Sequence, residues 1–192
     1  MPLIRETIVT TCDPHGRAHL APLGLIADRD SWIIAPFRPS TTLENLRAVP
    51  YAVANATDDV RVFAGLLTGR RDWPTVPADV VPVPRLAAAL AHSELAVSAV
   101  TEDEQRPRFH CRVVAAGAHA AFTGFNRAQA AVIEAAILVS RLHLLSREHV
   151  EGELARLAVA VDKTAGENER EAWSWLMERV RGEEAGAHAS RC

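Results

Sequence analysis

The chain has 192 residues, 48% hydrophobic and 23% charged, with a formal net charge of −3. That much apolar residue supports a core and excludes a disordered chain. Interspersed acids and bases offer no basic face for nucleic acid, and the longest apolar stretch, 128–145, is broken by Glu134 and Arg141, so no membrane span is expected.

The first elements read as strands. Residues 6–11 (ETIVTT) are β-branched. Asp13-Pro14-His15-Gly16 is turn chemistry, and 17–25 (RAHLAPLGL) returns as a second strand, so 6–25 is expected to be a β-hairpin. Pro22 implies an edge or a bulge, and Gly24 implies close approach to the backbone, a first hint that this strand faces a ligand. After the turn at Asp28-Arg29-Asp30, residues 31–35 form a third strand.

The stretch 35–46 (APFRPSTTLENL) then turns and starts a helix over 42–49. Thr41 and Glu44 have capping-box spacing. Three hydroxyls and Arg38 gather where helix N–H groups point outward, which suits an anion. The alternative is an ordinary capped surface helix. Residues 51–56 (YAVANA) form a strand, with Asn55 as a polar residue that contacts a ligand or caps a turn. Asp58 and Asp59 terminate it, and 60–67 (VRVFAGLL) fits either strand or helix. Four prolines make 70–85 a loop, with a helical turn over 86–91. Paired strands follow over 94–101 and 109–116.

From Asn126 the period changes. A capping-box pair, Asn126 and Gln129, precedes a mostly buried helix over 127–145, with Arg127, Glu134 and Arg141 on one solvated face. Ser146 caps a second helix that stops near Gly166. A third, over 167–181, turns Trp173, Leu176, Met177 and Val180 inward, and the last ten residues are expected to fray. Strands first and helices afterwards make an α+β protein.

Motif searches exclude several chemistries. No nucleophile elbow, P-loop or dinucleotide fingerprint is present. Cys12, His15 and His19 are too far apart along a turn and strand for a good metal bite, so no metal is expected. Three cysteines, at 12, 111 and 192, and a start without a secretory apolar region fit reduced thiols and a cytoplasmic location.

The order ETIVTTCDPHGRAHLAPLGL, strand, PSTTLENL, YAVANATDD resembles the flavin reductase-like FMN-binding split barrel. The later HCRV (110–113) and GFNRAQAAVIEAAILVSR (124–141) are similar to an uncharacterised branch with an appended C-terminal helical region. The resemblance covers residues 5–180. It implies an antiparallel split β-barrel of Greek-key order over 1–122, a helical bundle over 123–183 packed on it, and a frayed tail over 184–192. It also implies FMN as cofactor, a homodimer with FMN near its interface, and NADH or NADPH as donor. The strand at His19-Leu20-Ala21-Pro22 would lie against the flavin, and Ser40-Thr41-Thr42 would hold the phosphate.

The residue chemistry agrees. The hydroxyls of Ser40, Thr41 and Thr42 with Arg38 suit a phosphate, Ser40 and Thr42 as the main ligands and Thr41 as cap. Asn45, one turn on, could reach the same oxygens. Backbone groups of Leu20 and Ala21 can pair with the ring edge, and Pro22 and Gly24 keep side chains away. His19 stands where reductases commonly place asparagine. Three functions remain open: a flavin-dependent oxidoreductase, an FMN carrier or sensor without turnover, and a flavin-free interaction module.

Overall fold

A computed structural model describes residues 2–189, with side chains described through residue 182. In chain order come strands β1 (Ile4–Cys12), β2 (Ala18–Asp28) and β3 (Ser31–Ile34), helix α1 (Thr41–Ala48), strand β4 (Tyr51–Ala56) and helix α2 (Val60–Leu67). Two-residue strands β5 (Thr75–Val76) and β6 (Arg85–Leu86) precede the long strands β7 (Ala91–Thr101) and β8 (Arg108–Ala118). Helices α3 (Arg127–Ser140), α4 (Arg147–Thr164) and α5 (Glu167–Ala189) follow.

The chain divides into two compact units. One holds the residues up to Asp58 together with Asp72–Phe122; the other holds Asp59–Arg71 together with the residues from Thr123 onward. The segment 59–71, which the expected boundary at 122/123 leaves with the barrel, therefore belongs to the helical unit. The expected frayed tail begins at 184, yet α5 continues as helix to Ala189; residues 190–192 lie outside the described residues.

The first unit is a closed antiparallel barrel of order β1-β2-β3-β8-β7-β4. The β1–β2 hairpin keeps one register from Ile4 opposite Ile26 to Cys12 opposite Ala18. Pro22 thus sits in a regular strand without a bulge. At the hairpin tip the Asp13 carboxylate accepts the N–H groups of His15 (2.9 Å) and Arg17 (3.0 Å). Gly16 has φ +79° there, a conformation that side chains rarely adopt. Between β7 and β8 the register shifts twice, at Glu94/Leu95 and at Val97/Ala99, and such bulges curve a sheet toward closure. Alternate residues point into the barrel. Val9, Leu25, Ile34, Leu95 and Phe109 fill it, joined by Leu43 and Leu46 from α1. On the outer face, Val53 and Cys12 pack under Val81 and Val83 of the proline-rich segment.

In the helical unit, Val60 and Ala64 of α2 share a core with Val132 and Ala136 of α3, Leu154 of α4 and Leu176 of α5. Stretch 60–67 is thus helix, capped by Asp59, whose carboxylate accepts the N–H of Arg61 (3.1 Å). Arg127, Glu134 and Arg141 are exposed as expected. The Asn126 capping box does not form. Asn126 caps α3 through the N–H of Ala128 (2.7 Å), while Gln129 donates to Glu169 (3.1 Å) on α5. The α3 helix ends at Ser140, before a short 3-10 turn (Leu142–Leu144). The expected helical turn over 86–91 is instead strand and bend, because Leu86 and Ala91 are drawn into sheets.

Candidate functional site

The turn leading into α1 is tied down by the adjacent β7–β8 turn, since β3 pairs with β8. The N–H of Arg38 donates to Gln105 O (2.9 Å) and its Nε to Asp103 O (3.1 Å). Its guanidinium also pairs with Glu102, which accepts both bonds from Arg47 as well, at 2.8 and 2.9 Å. Arg106 donates to Ala35 O (3.1 and 2.8 Å) and lies 4.3 Å over the Phe37 ring. Arg38 and Arg106 thus flank the turn before α1, and Arg47 in its last turn shares Glu102 of the β7–β8 turn with Arg38. The Asp103 carboxyl is held below its ordinary value chiefly by the N–H of Arg106 and then that of Gln105.

The cap lies one residue earlier than expected. Ser40, not Thr41, is the N-cap, its Oγ accepting the N–H of Leu43 (3.3 Å). Three residues on from Ser40 stands leucine, so the Thr41/Glu44 spacing is incidental. Thr41 is exposed, whereas Thr42 is 3% exposed and offers little surface at the helix start. Arg38, Ser40 and Thr41 remain together at the helix start, where the first-turn N–H groups have no intrahelical acceptor.

Asn45 and Asn55 are engaged elsewhere. Asn45 is buried and donates to Thr11 Oγ1 (3.0 Å), fastening α1 to β1. Asn55 is wholly buried. Its amide nitrogen reaches Ile8 O (2.8 Å), Thr10 Oγ1 (3.0 Å) and Val53 O (3.2 Å), and its oxygen accepts the N–H of Leu86 (2.8 Å). Asn55 is an interior strut with every polar atom engaged, and Asn45 ties α1 to β1 through its amide nitrogen.

The second strand offers its backbone. Its pairing to β3 covers Ile26, Ala27 and Asp28. Among the described residues no strand pairs with the outer edge of His19, Leu20, Ala21 and Pro22. Proline is tolerated at such an edge because it has no N–H to leave unpaired. Leu20 is buried; His19, Ala21 and Pro22 are half-buried. What approaches Gly24 is not a ligand but β1. A Cβ there would stand 2.7 Å from Ile4 Cγ2 and 3.2 Å from Glu6 Oε1.

A cavity at the barrel mouth, lined by Arg5, Thr7, Trp32 and Ala54, has a volume of about 110 Å³. That is well below the roughly 300–1,000 Å³ of pockets for larger ligands, so a tricyclic ring system would have to lie on the outer surface.

One polar cluster gives no warning in the expected elements. His92 and Glu94, two apart on β7, face the same way and are buried. The Glu94 carboxylate accepts the N–H groups of Asp79 (2.7 Å), Val80 (2.8 Å) and Val81 (2.7 Å). Burial alone would raise its pKa. The N–H groups of Val81, Asp79 and Val80, with His92, outweigh burial and lower it. His92 Nδ1 lies 2.8 Å from His119 Nε2. The His119 ring is held below the ordinary histidine value by desolvation, then by Arg85 and His92. The pattern HSE at 92–94 was the available signal, but strand assignment beginning at Glu94 leaves His92 out. Burial pushes the Cys111 thiol up to about 12 and, with Asp13, raises Cys12; neither is poised as thiolate. Among the described residues no helix is long and apolar enough to cross a membrane.

Comparison places this geometry among known folds. An FMN-bound protein from Methanosarcina mazei superposes with a TM-score of 0.81 at 20% identity, over 93% of this chain and 96% of that one. The 2-nitrobenzoate 2-nitroreductase of Pseudomonas fluorescens matches at 0.52 and 20% identity, over 62% of this chain and 66% of that one. An FMN-binding protein from Thermus thermophilus with bound 1-cyclohex-2-enone matches at 0.50 and 18% identity, over 62% and 71%. At these identities the likeness establishes the split-barrel fold. No curated protein matches the sequence. The family model "Protein of unknown function (DUF447) N-terminal domain" matches residues 5–120, and its companion, "Protein of unknown function (DUF447)", matches 126–178. With the barrel and the helical unit each matched, the chain belongs to the DUF447 family.

Proposed function

We propose that the protein binds FMN on the outside of its barrel and serves as a flavin-dependent oxidoreductase. The observation that carries this is the near full-length likeness to an FMN-bound protein of the same family. The residues present fit the group. FMN pairs a phosphate dianion with a flat ring that has a polar edge. The start of α1 supplies N–H groups, Ser40, Thr41 and Arg38 for the phosphate. The outer edge of β2 at Leu20 supplies a backbone donor and acceptor for the ring, while Ala21 beside it pairs with β1. Pro22 keeps that edge free of a competing N–H, and His19 stands at its end. Thr42, Asn45 and Asn55 act from behind as scaffolding.

Bound FMN would supply electron transfer through its ring; the chain supplies orientation and charge. The reading includes NADH or NADPH as electron donor and a homodimer with flavin near the interface. Both follow from the family resemblance, and an NADH:FAD oxidoreductase from Streptomyces globisporus with the same fold supports the nicotinamide donor.

The test compares FMN with riboflavin, which lacks the phosphate. Ser40→Ala with Thr41→Ala is expected to weaken FMN by about 1.5–3 kcal/mol per charge-assisted bond lost and to leave riboflavin unchanged. Equal losses for both ligands, or no FMN binding by the unaltered chain, would overturn the proposal. Anaerobic NADH or NADPH should bleach the bound flavin; persistent colour with both donors removes the nicotinamide step.

A further inference from the structure

We infer that Asp79, His92 and Glu94 form a binding site for a divalent first-row transition ion, Zn²⁺ or a cation of similar chemistry. Their ligand atoms lie within 4.8 Å of one another. His92 Nε2 is 3.3 Å from Glu94 Oε1 and 3.9 Å from Asp79 Oδ2. An ion bound at about 2.0–2.2 Å from nitrogen and oxygen holds its ligand atoms roughly 3.0–3.5 Å apart. The spacing of His92 and Glu94 already falls there, and the Asp79 side chain, 74% exposed, has freedom to close the rest. A proton shared by a buried histidine and carboxylate would instead draw them to about 2.7–2.9 Å.

The surroundings support the first ligands as a metal centre's would. A carboxylate has about four acceptor positions. Three on Glu94 are filled by the N–H groups of Asp79, Val80 and Val81, which leaves one direction on Oε1, toward His92. The other nitrogen of His92 is 2.8 Å from His119 Nε2. Without an ion, His92 Nε2 and Glu94 Oε1 form a long hydrogen bond of 3.3 Å; with the proton on Nδ1 instead, Nε2 turns its lone pair toward the carboxylates of Glu94 and Asp79, where a cation would sit. An outer partner on the far ring nitrogen is the usual way that a metal-ligating histidine is oriented. The ring is further fixed by stacking on His119, 5.0 Å between centroids and 12° between planes. Gly117 makes room for it: a Cβ there would stand 2.9 Å from His92 Cε1. Two carboxylates and a neutral imidazole balance a dication, and three protein ligands leave a position open to water or a small anion.

The test uses the full-length protein, stripped with chelator and titrated with Co²⁺ while its visible absorption is followed. One Co²⁺ per chain, displaced by Zn²⁺, is expected. Asp79→Asn alters an exposed side chain, so the fold is kept, and it should weaken binding on the order of ten-fold or more. His92→Gln should abolish the absorption band, and His119→Gln should weaken binding with the band retained. His143→Gln, on the 3-10 turn of the helical unit, should change nothing. Absence of saturable one-to-one binding, or binding undiminished in Asp79→Asn, would overturn the site. None of these readouts depends on flavin.

Discussion

Asn55 shows how one polar residue in an apolar strand can be read two ways. From sequence it is a candidate ligand, because a lone amide among Tyr, Ala and Val needs a partner. The structure supplies those partners from β1, β4 itself and the N–H of Leu86, all buried. Asn55→Ala would leave the Leu86 N–H and the Ile8 carbonyl without their bonds. A loss of about 2–4 kcal/mol in urea unfolding is expected, while the FMN-to-riboflavin preference should not change. Asn45 follows the same logic at Thr11. Sequence could flag that these amides matter but not for whom, since all the partners but Val53 lie 31 to 47 positions away. Ser40 was legible in kind and missed in place. Three adjacent hydroxyls make the cap ambiguous by one residue, and the side chains that fix it, Leu43 and Leu46 entering the barrel core, act from beyond the local motif.

At the level of elements, strong periodic signals carried through and weak ones did not. The β1–β2 hairpin and helices α3 to α5 were legible because turn residues and apolar faces agree with each other. The stretch 60–67 was not, since VRVFAGLL satisfies both strand and helix templates; its helical partners arrive far downstream. Strands β5 and β6, two residues each, have no periodicity to detect. The α1 turn and the β7–β8 turn form a single electrostatic element, in which Glu102 is shared by Arg38 and Arg47. Removing that acid should release the Arg38 guanidinium toward an anion at the start of α1. Glu102→Gln is expected to tighten FMN by about 0.2–1 kcal/mol, the range of an exposed ion pair, and the gain should shrink at high salt. A weaker FMN complex would mean that Glu102 positions Arg38 rather than competing for it.

At the level of the whole molecule, the two units are interleaved along the chain rather than consecutive. The α2 helix is encoded between β4 and β5 but packs with α3, α4 and α5. A chain cut after residue 122 would retain α2 without its partners, with the core residues Val60 and Ala64 (1% and 0% exposed in the intact chain) uncovered. Such a fragment is expected to aggregate, measured as soluble yield and size-exclusion profile. Co-expression with 123–192 should restore solubility. A soluble monomeric 1–122 would show that α2 finds other cover.

The same interleaving sets a schedule for synthesis. Roughly sixty residues separate Leu67 from Arg127, which at a ribosomal rate of about 5–20 residues per second is a wait of about 3–12 s. During that interval the nascent chain carries a short apolar helix whose partners do not yet exist. The last two barrel strands, β7 and β8, emerge in the same interval, so the barrel is completed around a segment held in reserve for the helical unit. A chaperone that shields short apolar helices would therefore engage this chain while it is still on the ribosome and release it once α3 emerges.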